Sequence, residues 1–459
     1  MINGRVIRSL RARTACGAFA FAIAGLAHAV TSPTLVGGGS TLPALAYVGS
    51  AAQTALQIDP VPAATGSVKD LLGLATVSGF PISYCQTGDD AAKNVLVGIT
   101  GFSVQNNCVK DSAGTVHGLG AAIAGRTDLT QPAFIATEVP LSAGDYTNYV
   151  NNHPSGYYPV QFPVLAGAVA IAFNLIDDQG TSVTVVNFTD DQLCNIFSGA
   201  DDNWSDADLS TAFTLPPGHT VNQPINVVYR SDGSGTTFSF SNHLTHACTG
   251  STVAHFVANQ YFTTVVGLYE PTIPGNWVSE SGDQAVANGI QTTSASVGYV
   301  ETANALATGP AVSIAEVNGL SPVTNFGNPL TVGASDLSFN SVLNGVNTNS
   351  GISAVGAISS LGLNAPGTQC IALVPPADYA TPGNMVPTGS YPIVAISYLL
   401  ANAQGNGADL SATRGLLEYP YVPQFINRVN TIGPGTGYAR LTLGSGTYDI
   451  NQVMSCIVN

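Results

Sequence analysis

The stretch that most constrains this chain is Tyr229–Phe240, which reads YRSDGSGTTFSF. Ile225, Val227 and Val228 lead into it as a strand, small polar residues and two glycines turn it, and Phe238, Phe240 and Leu244 then follow at helical spacing. The first turn of a helix leaves backbone N–H groups without intrahelical partners, and those donors point outward. Gly233 and Gly235 let a ligand approach that backbone, Ser234 and Thr236 add hydroxyls, and Arg230 adds a planar cationic fork. The helix dipole favours negative charge at the same point, so the segment predicts a cradle for a tetrahedral oxyanion. The plainer alternative is a capped turn with no ligand. A serine nucleophile elbow is excluded because Asp232 stands where G-x-S-x-G needs glycine, and no G-x-x-x-x-G-K-S/T phosphate loop occurs.

A second corner of the same kind begins at Leu35, in LVGGGSTLPALAYVGSA. A strand end runs into Gly37, Gly38 and Gly39, then Ser40 and Thr41, with Pro43 suited to the first turn of a helix. A third, Tyr84-Cys85-Gln86-Thr87-Gly88, precedes a helix that opens on Asp89 and Asp90. Two carboxylates there suit the helix and disfavour an anion.

Val164–Leu175 (VLAGAVAIAFNL), Ile371–Pro375 and Tyr391–Leu400 read as buried strands. Thr189 with Gln192 forms a capping box, Phe188 with Leu193 a hydrophobic staple, and the helix they open ends at Gly199. Ser281–Ile290 predicts a short helix, Ser296–Val300 a strand and Ser411–Val429 one or two surface helices. Alternating short strands and helices indicate an α/β chain with mostly parallel pairing, in which ligands sit beyond the carboxyl ends of the strands.

Arg5, Arg8, Arg11 and Arg13 precede an apolar run from Ala15 to Ala27, and Ala27-His28-Ala29 offers a small-x-small cleavage site, so residues 1–29 predict a secretory signal peptide. No later run reaches the roughly 18 apolar residues of a membrane span, which predicts an exported, non-spanning protein. Beyond position 29 the chain holds six cysteines, and eight Lys and Arg against 27 Asp and Glu, a formal charge near −19. An even cysteine count in an exported chain points to disulfides. Order in sequence suggests Cys85–Cys108, Cys194–Cys248 and Cys370–Cys456. So acidic a surface has nothing to neutralise a row of phosphates, which excludes nucleic acid. A small anion can still be held by local attraction, since distant charges are screened beyond about 8–10 Å. About 430 residues exceed one core and predict two lobes.

Taken together, GGGSTLP at 37–43, LCNIFSGADDNWS at 193–205, YRSDGSGTTF at 229–238 and SVGYVE at 296–301 resemble the PstS-like phosphate-binding proteins of ABC transporters. The YCQTG turn, the placement of Cys194 and Cys248, and Tyr391-Pro392-Ile393 are most similar to their DING branch. The resemblance implies a type II periplasmic-binding-protein fold, two lobes with a ligand cleft between them. The first lobe would comprise residues 30–165 and 389–459, the second 166–388. It implies phosphate ligands at Thr41 and Leu42, at Thr87 and Gly88, and at Arg230, Ser234, Gly235 and Thr236. Its G-x-S-D segment holds a carboxylate that accepts a proton-bearing oxygen, for which Gly125-Arg126-Thr127-Asp128 is one match. An alternative register places Ala121 and Ala122 on that Ser-Asp pair and removes the carboxylate.

His243 and His246 with Cys248 could ligate a metal, but the disulfide claims the cysteine. Asp201, Asp202, Asp206 and Asp208 lack the spacing of a calcium loop. No cofactor or metal is expected. The function expected is capture of inorganic phosphate by a periplasmic or secreted monomer, not an enzyme, serving a transporter permease or scavenging outside the cell. The alternative is a secreted surface or adhesion protein that keeps the fold with an altered or lost anion site.

Overall fold

A computed structural model describes residues 35–49, 70–72, 82–99, 109–110, 116–117, 119–120, 132–248, 256–267, 272–309, 312–344, 358–361, 370–447 and 449–459. The signal-peptide region, Cys108 and the Gly125–Asp128 segment lie outside them.

The first half opens with strand β1 (Leu35–Gly39), helix α1 (Ala44–Val48), β2 (Ile82–Gln86), α2 (Asp89–Leu96), β3 (Phe134–Thr137) and α3 (Ala143–Asn152). Strand β4 (Pro159–Ile176) follows, 18 residues of almost unbroken apolar sequence, buried along nearly its whole length. The second half contributes α4 (Asp190–Phe197), β5 (Asn226–Arg230), α5 (Gly235–Ala247), β6 (Val278–Glu280), α6 (Asp283–Thr292), β7 (Ser296–Glu301) and α7 (Thr302–Thr308). The chain then returns through β8 (Val394–Asn402), α8 (Leu410–Glu418) and β9 (Tyr438–Leu443).

Among the described residues one twelve-stranded sheet carries the fold, its main path running β6-β5-β7-β4-β8-β3-β1-β2. Pairing is parallel within each flank and antiparallel where β8, β4 and β7 meet, so the sheet is mixed and not mostly parallel as the sequence predicts. The cause is β4, which is long enough to pair with β8 over its first part, Pro159–Ala168, and with β7 over its second, Val169–Asn174. Register then fixes what meets what. Thr137 at the end of β3 lies level with Tyr398 and hence with Pro163, while Glu301 at the end of β7 lies level with Val169. Two parallel flanks running in opposite senses therefore discharge their carboxyl ends toward the middle of the same strand.

Behind the second flank, Phe197, Phe240, Phe262 and Tyr299 pack as an aromatic cluster, with Phe240 stacked on Tyr299 at 4.7 Å. Cys194 bonds Cys248 and ties α4 to the end of α5, and Cys370 bonds Cys456, as sequence order suggests. Cys85 is buried in β2 and disulfide-bonded. No described helix is long and apolar enough to cross a membrane.

Candidate functional site

Six strand ends converge. From the first flank, β1 delivers Ser40 and Thr41, β2 delivers Gly88 and Asp89, and β3 delivers Glu138. From the second, β5 delivers Arg230 and the turn to Gly235, β6 delivers Gly282 and Asp283, and β7 delivers Glu301. Thr41, Asp89, Glu138, Arg230, Gly235, Thr236 and Asp283 are all buried.

Arg230 is the centre of charge, its guanidinium fully enclosed. Nε donates to Asp232 Oδ1 at 2.8 Å and Nη2 to Asp232 Oδ2 at 2.6 Å, a fork-to-fork pair two residues apart on one turn. The third face is free to point inward, and Nη1 donates to Asp283 Oδ2 at 2.8 Å. That oxygen also accepts from Thr41 Oγ1 at 2.6 Å and Thr236 Oγ1 at 2.9 Å. Burial alone would push Arg230 toward its neutral form, but Asp232 and Asp283 outweigh it and hold the cation. For Asp232 burial is likewise outweighed, by Arg230, and its pKa falls.

The glycine corners do what the sequence asks of them. Gly39 has φ +137°, and a Cβ there would stand 2.0 Å from the Ala136 carbonyl oxygen, so only glycine lets β1 turn beside β3. Ser234 caps α5, its Oγ accepting from the N–H of Thr236 and Thr237. Gly235 N–H is left to reach the first flank, where it donates to Asp89 Oδ2 at 2.7 Å. The other oxygen of Asp89 accepts from Thr137 Oγ1 at 2.8 Å and the N–H of Glu138 at 2.9 Å. Glu138 accepts from Ser40 Oγ through Oε2, and its Oε1 makes no hydrogen bond among the described residues.

Burial raises the pKa of Asp89, against the pull of the Gly235, Glu138 and Thr137 hydrogen bonds. Glu138 rises further, through burial first and then the neighbouring Asp89 charge. Two carboxyls this close in a dry site do not both ionise freely.

Each expected site residue among the described ones now has a place. Arg230, Thr236 and Thr41 meet at one oxygen of Asp283, and Gly235 N–H donates to Asp89. Ser234 serves the helix as its cap. Leu42 N–H donates to Ser40 Oγ at 3.2 Å, Gly88 N–H to the Gly39 carbonyl at 2.9 Å, and Thr87 Oγ1 to the Gly88 carbonyl at 3.3 Å. These three therefore build the first corner's backbone, while the side chain that reaches across is Asp89. Asp128 lies outside the described residues.

Besides Asp89, a second buried carboxylate at a first-flank strand end is Glu138. A signal for it exists in the sequence, since Phe134-Ile135-Ala136 is an apolar run ending in Thr137-Glu138, but no glycine marks that corner. Asp283 was equally silent. It opens a helix after Gly282, where an acidic residue is ordinary.

The remaining candidates are engaged elsewhere. His243 pairs with the Ala380 carbonyl and Asp190, and His246 with the Asn242 carbonyl. In the acidic loop, Asp206 Oδ2 accepts from the N–H of Asp202 and Asn203, and Asp208 from Asn195. Asp201 is pushed up to about 6 by burial and by Asp208 and Asp206.

The sequence matches the PBP superfamily domain over residues 85–427, three quarters of the chain. The chain belongs to the PBP superfamily. Among curated relatives, it is 28% identical over 289 residues to "Alkaline phosphatase L" of Pseudomonas aeruginosa, covering 63% of this chain and 61% of that protein. It is 35% identical over 146 residues to "Phosphate-binding protein PstS" of Xylella fastidiosa, covering 32% of this chain and 36% of that one. The chain thus spans less than two thirds of either relative. Its fold is shared with a solved high affinity periplasmic phosphate-binding protein, PfluDING, at TM-score 0.55 and 20% identity, covering 89% of this chain and 91% of that one. The central antiparallel pair of β4 and β8 joins the two flanks, whose strand ends meet over it.

Proposed function

We propose that this chain is an exported solute-binding protein that captures inorganic phosphate, or a related tetrahedral oxyanion, between its two lobes, taken as residues 30–165 with 389–459 and residues 166–388. The observation that carries the reading is the convergence of Arg230 Nη1, Thr41 Oγ1 and Thr236 Oγ1 on a single negatively charged oxygen, 2.6–2.9 Å away. Three donors from both halves of the molecule on one anionic oxygen are what an oxyanion requires, and the helix dipole of α5 adds to them. The names of the Xylella fastidiosa relative and of the structural neighbour point the same way, while the Pseudomonas aeruginosa relative carries the name of a phosphatase.

Glu138 takes the part that the sequence reading gave to Asp128. In its ionised form Glu138 would accept a hydrogen from hydrogen phosphate through Oε1. Sulfate has no such hydrogen to give, so lone pairs would face one another in a buried site. The role is binding without turnover, with delivery to a transporter permease or scavenging outside the cell as its use.

Isothermal titration across about pH 5 to 9 tests it. Phosphate is expected to bind, sulfate to give no heat, and Arg230→Ala to abolish the phosphate signal. Absence of phosphate heat throughout that range would sink the reading, and steady hydrolysis of a chromogenic phosphate ester would contradict binding without turnover.

A further inference from the structure

The donors of the cradle already have acceptors, and those acceptors are the protein's own. Asp89 stands on the first flank and takes the Gly235 N–H of the second, at 2.7 Å. Asp283 stands on the second flank and takes the Thr41 hydroxyl of the first, at 2.6 Å, together with Arg230 and Thr236. The exchange is reciprocal: each half reaches over with one carboxylate and occupies what the other half would offer an anion. Both aspartates are wholly buried, and Asp283 Oδ1 is anchored in turn by the Glu301 N–H at 3.0 Å. The packing leaves little room beside them. A Cβ on Gly235 would stand 2.5 Å from Glu138 Oε2 and 2.7 Å from Asp89 Oδ1.

We propose that Asp89 and Asp283 are specificity-determining residues of the cradle. They act as an internal stand-in for the oxyanion, which enters only by displacing them from Gly235, Arg230, Thr41 and Thr236. This rests on the function proposed above and adds to it how tightly, and against what competitor, the site takes its ligand. A donor shared between an internal carboxylate and an incoming anion contributes to binding only the difference between the two. A tethered carboxylate is present at high effective concentration, so it competes strongly even when its own geometry is ordinary. Phosphate affinity in the natural sequence is therefore set well below what the same donors would give unoccupied. The two aspartates also latch the halves together, so their loss loosens the molecule in phosphate-free buffer.

The test compares the natural chain with Asp89→Ser, Asp283→Ser and the isosteric Asp89→Asn and Asp283→Asn. Inorganic phosphate is titrated by calorimetry and, separately, followed by its effect on Tm. Each serine variant is expected to bind phosphate at least about tenfold more tightly, a change worth 1.4 kcal/mol. Each is also expected to melt lower without phosphate and to gain more in Tm from phosphate than the natural chain does. Where a serine variant fails to fold, the asparagine variant at that position carries the test, since it keeps shape and removes the charge. Equal or weaker phosphate affinity in folded variants, with Arg230→Ala abolishing binding in the natural chain, overturns the stand-in and leaves the proposed function standing. No phosphate binding by the natural chain or any variant overturns both.

Discussion

At Gly235 two local rules oppose one another. The residue occupies the first position of α5 with ordinary helical backbone, so propensity alone would favour alanine there by about 1 kcal/mol. Tertiary contact decides otherwise, because a Cβ would meet the Glu138 Cβ at 2.6 Å as well as its Oε2. The Cβ of a buried residue at a strand end has little freedom to retreat. Gly235→Ala is therefore expected to destabilise by roughly 1–3 kcal/mol, by overpacking, and to weaken phosphate binding with it. Urea unfolding checks the first, and a variant as stable as the natural chain would show that Glu138 can move. Arg230 was readable from sequence because a cation after a strand and before a glycine turn is unusual in a chain with eight cations beyond position 29. Its two carboxylate partners were not readable as such: Asp232 is near in sequence, but Asp283 lies 53 residues away.

Among the elements, α4 was the most legible. Thr189 Oγ1 accepts from Gln192 N–H at 3.2 Å and Gln192 Oε1 accepts from Thr189 N–H at 2.9 Å, the reciprocal pair that the T-x-x-Q spacing predicts. Gly199, just past the helix, has φ +75°, where its freedom is needed. Thr189→Ala is expected to cost about 0.5–2 kcal/mol and Thr189→Ser to restore most of it, measured by chemical denaturation. Indistinguishable stabilities would mean that the disulfide from Cys194 to Cys248 already holds this helix. Strand β4 was legible as buried but not in its detail. Pro163 removes a ladder donor from a central strand, and the ladder adapts by slipping between Ser397 and Tyr398, so that they face Leu165 and Pro163 with one residue between. Tyr421 Oη then donates to the Pro163 carbonyl. Nothing local to VQFPVLAG announces a partner more than two hundred residues away.

For the molecule as a whole, the buried acids set a pH dependence. Burial raises Asp89, and burial first with neighbouring carboxylates after it raises Glu138 and Glu301, so the folded chain keeps protons that the unfolded chain has lost. Their contribution is fully present below the ordinary carboxylate range and drains away as pH rises from about 4 toward their folded values. Asp145, Asp190 and Asp232 have the opposite sign: burial is outweighed by Lys93, His243 and Arg230 respectively, and their contribution is lost as pH falls through their lowered values. Tm is thus expected to peak in mildly acid buffer and to decline toward neutral and alkaline pH, with Glu138→Gln flattening the decline. Calorimetric melts from about pH 4 to 8 check it, and a Tm that climbs steadily through that range would contradict the assignment. The sequence by itself determined the buried strands β4, β5, β7 and β8, the cap of α4, the glycine corners and two observed disulfides, because each follows from residues close together or from counting. Only the tertiary structure decided that the sheet is mixed, that Glu138 is buried beside Asp89, and that Asp89 and Asp283 hold the donors. Those facts depend on register along an 18-residue strand shared by both halves, and register is set by packing across the sheet, which no local spacing encodes.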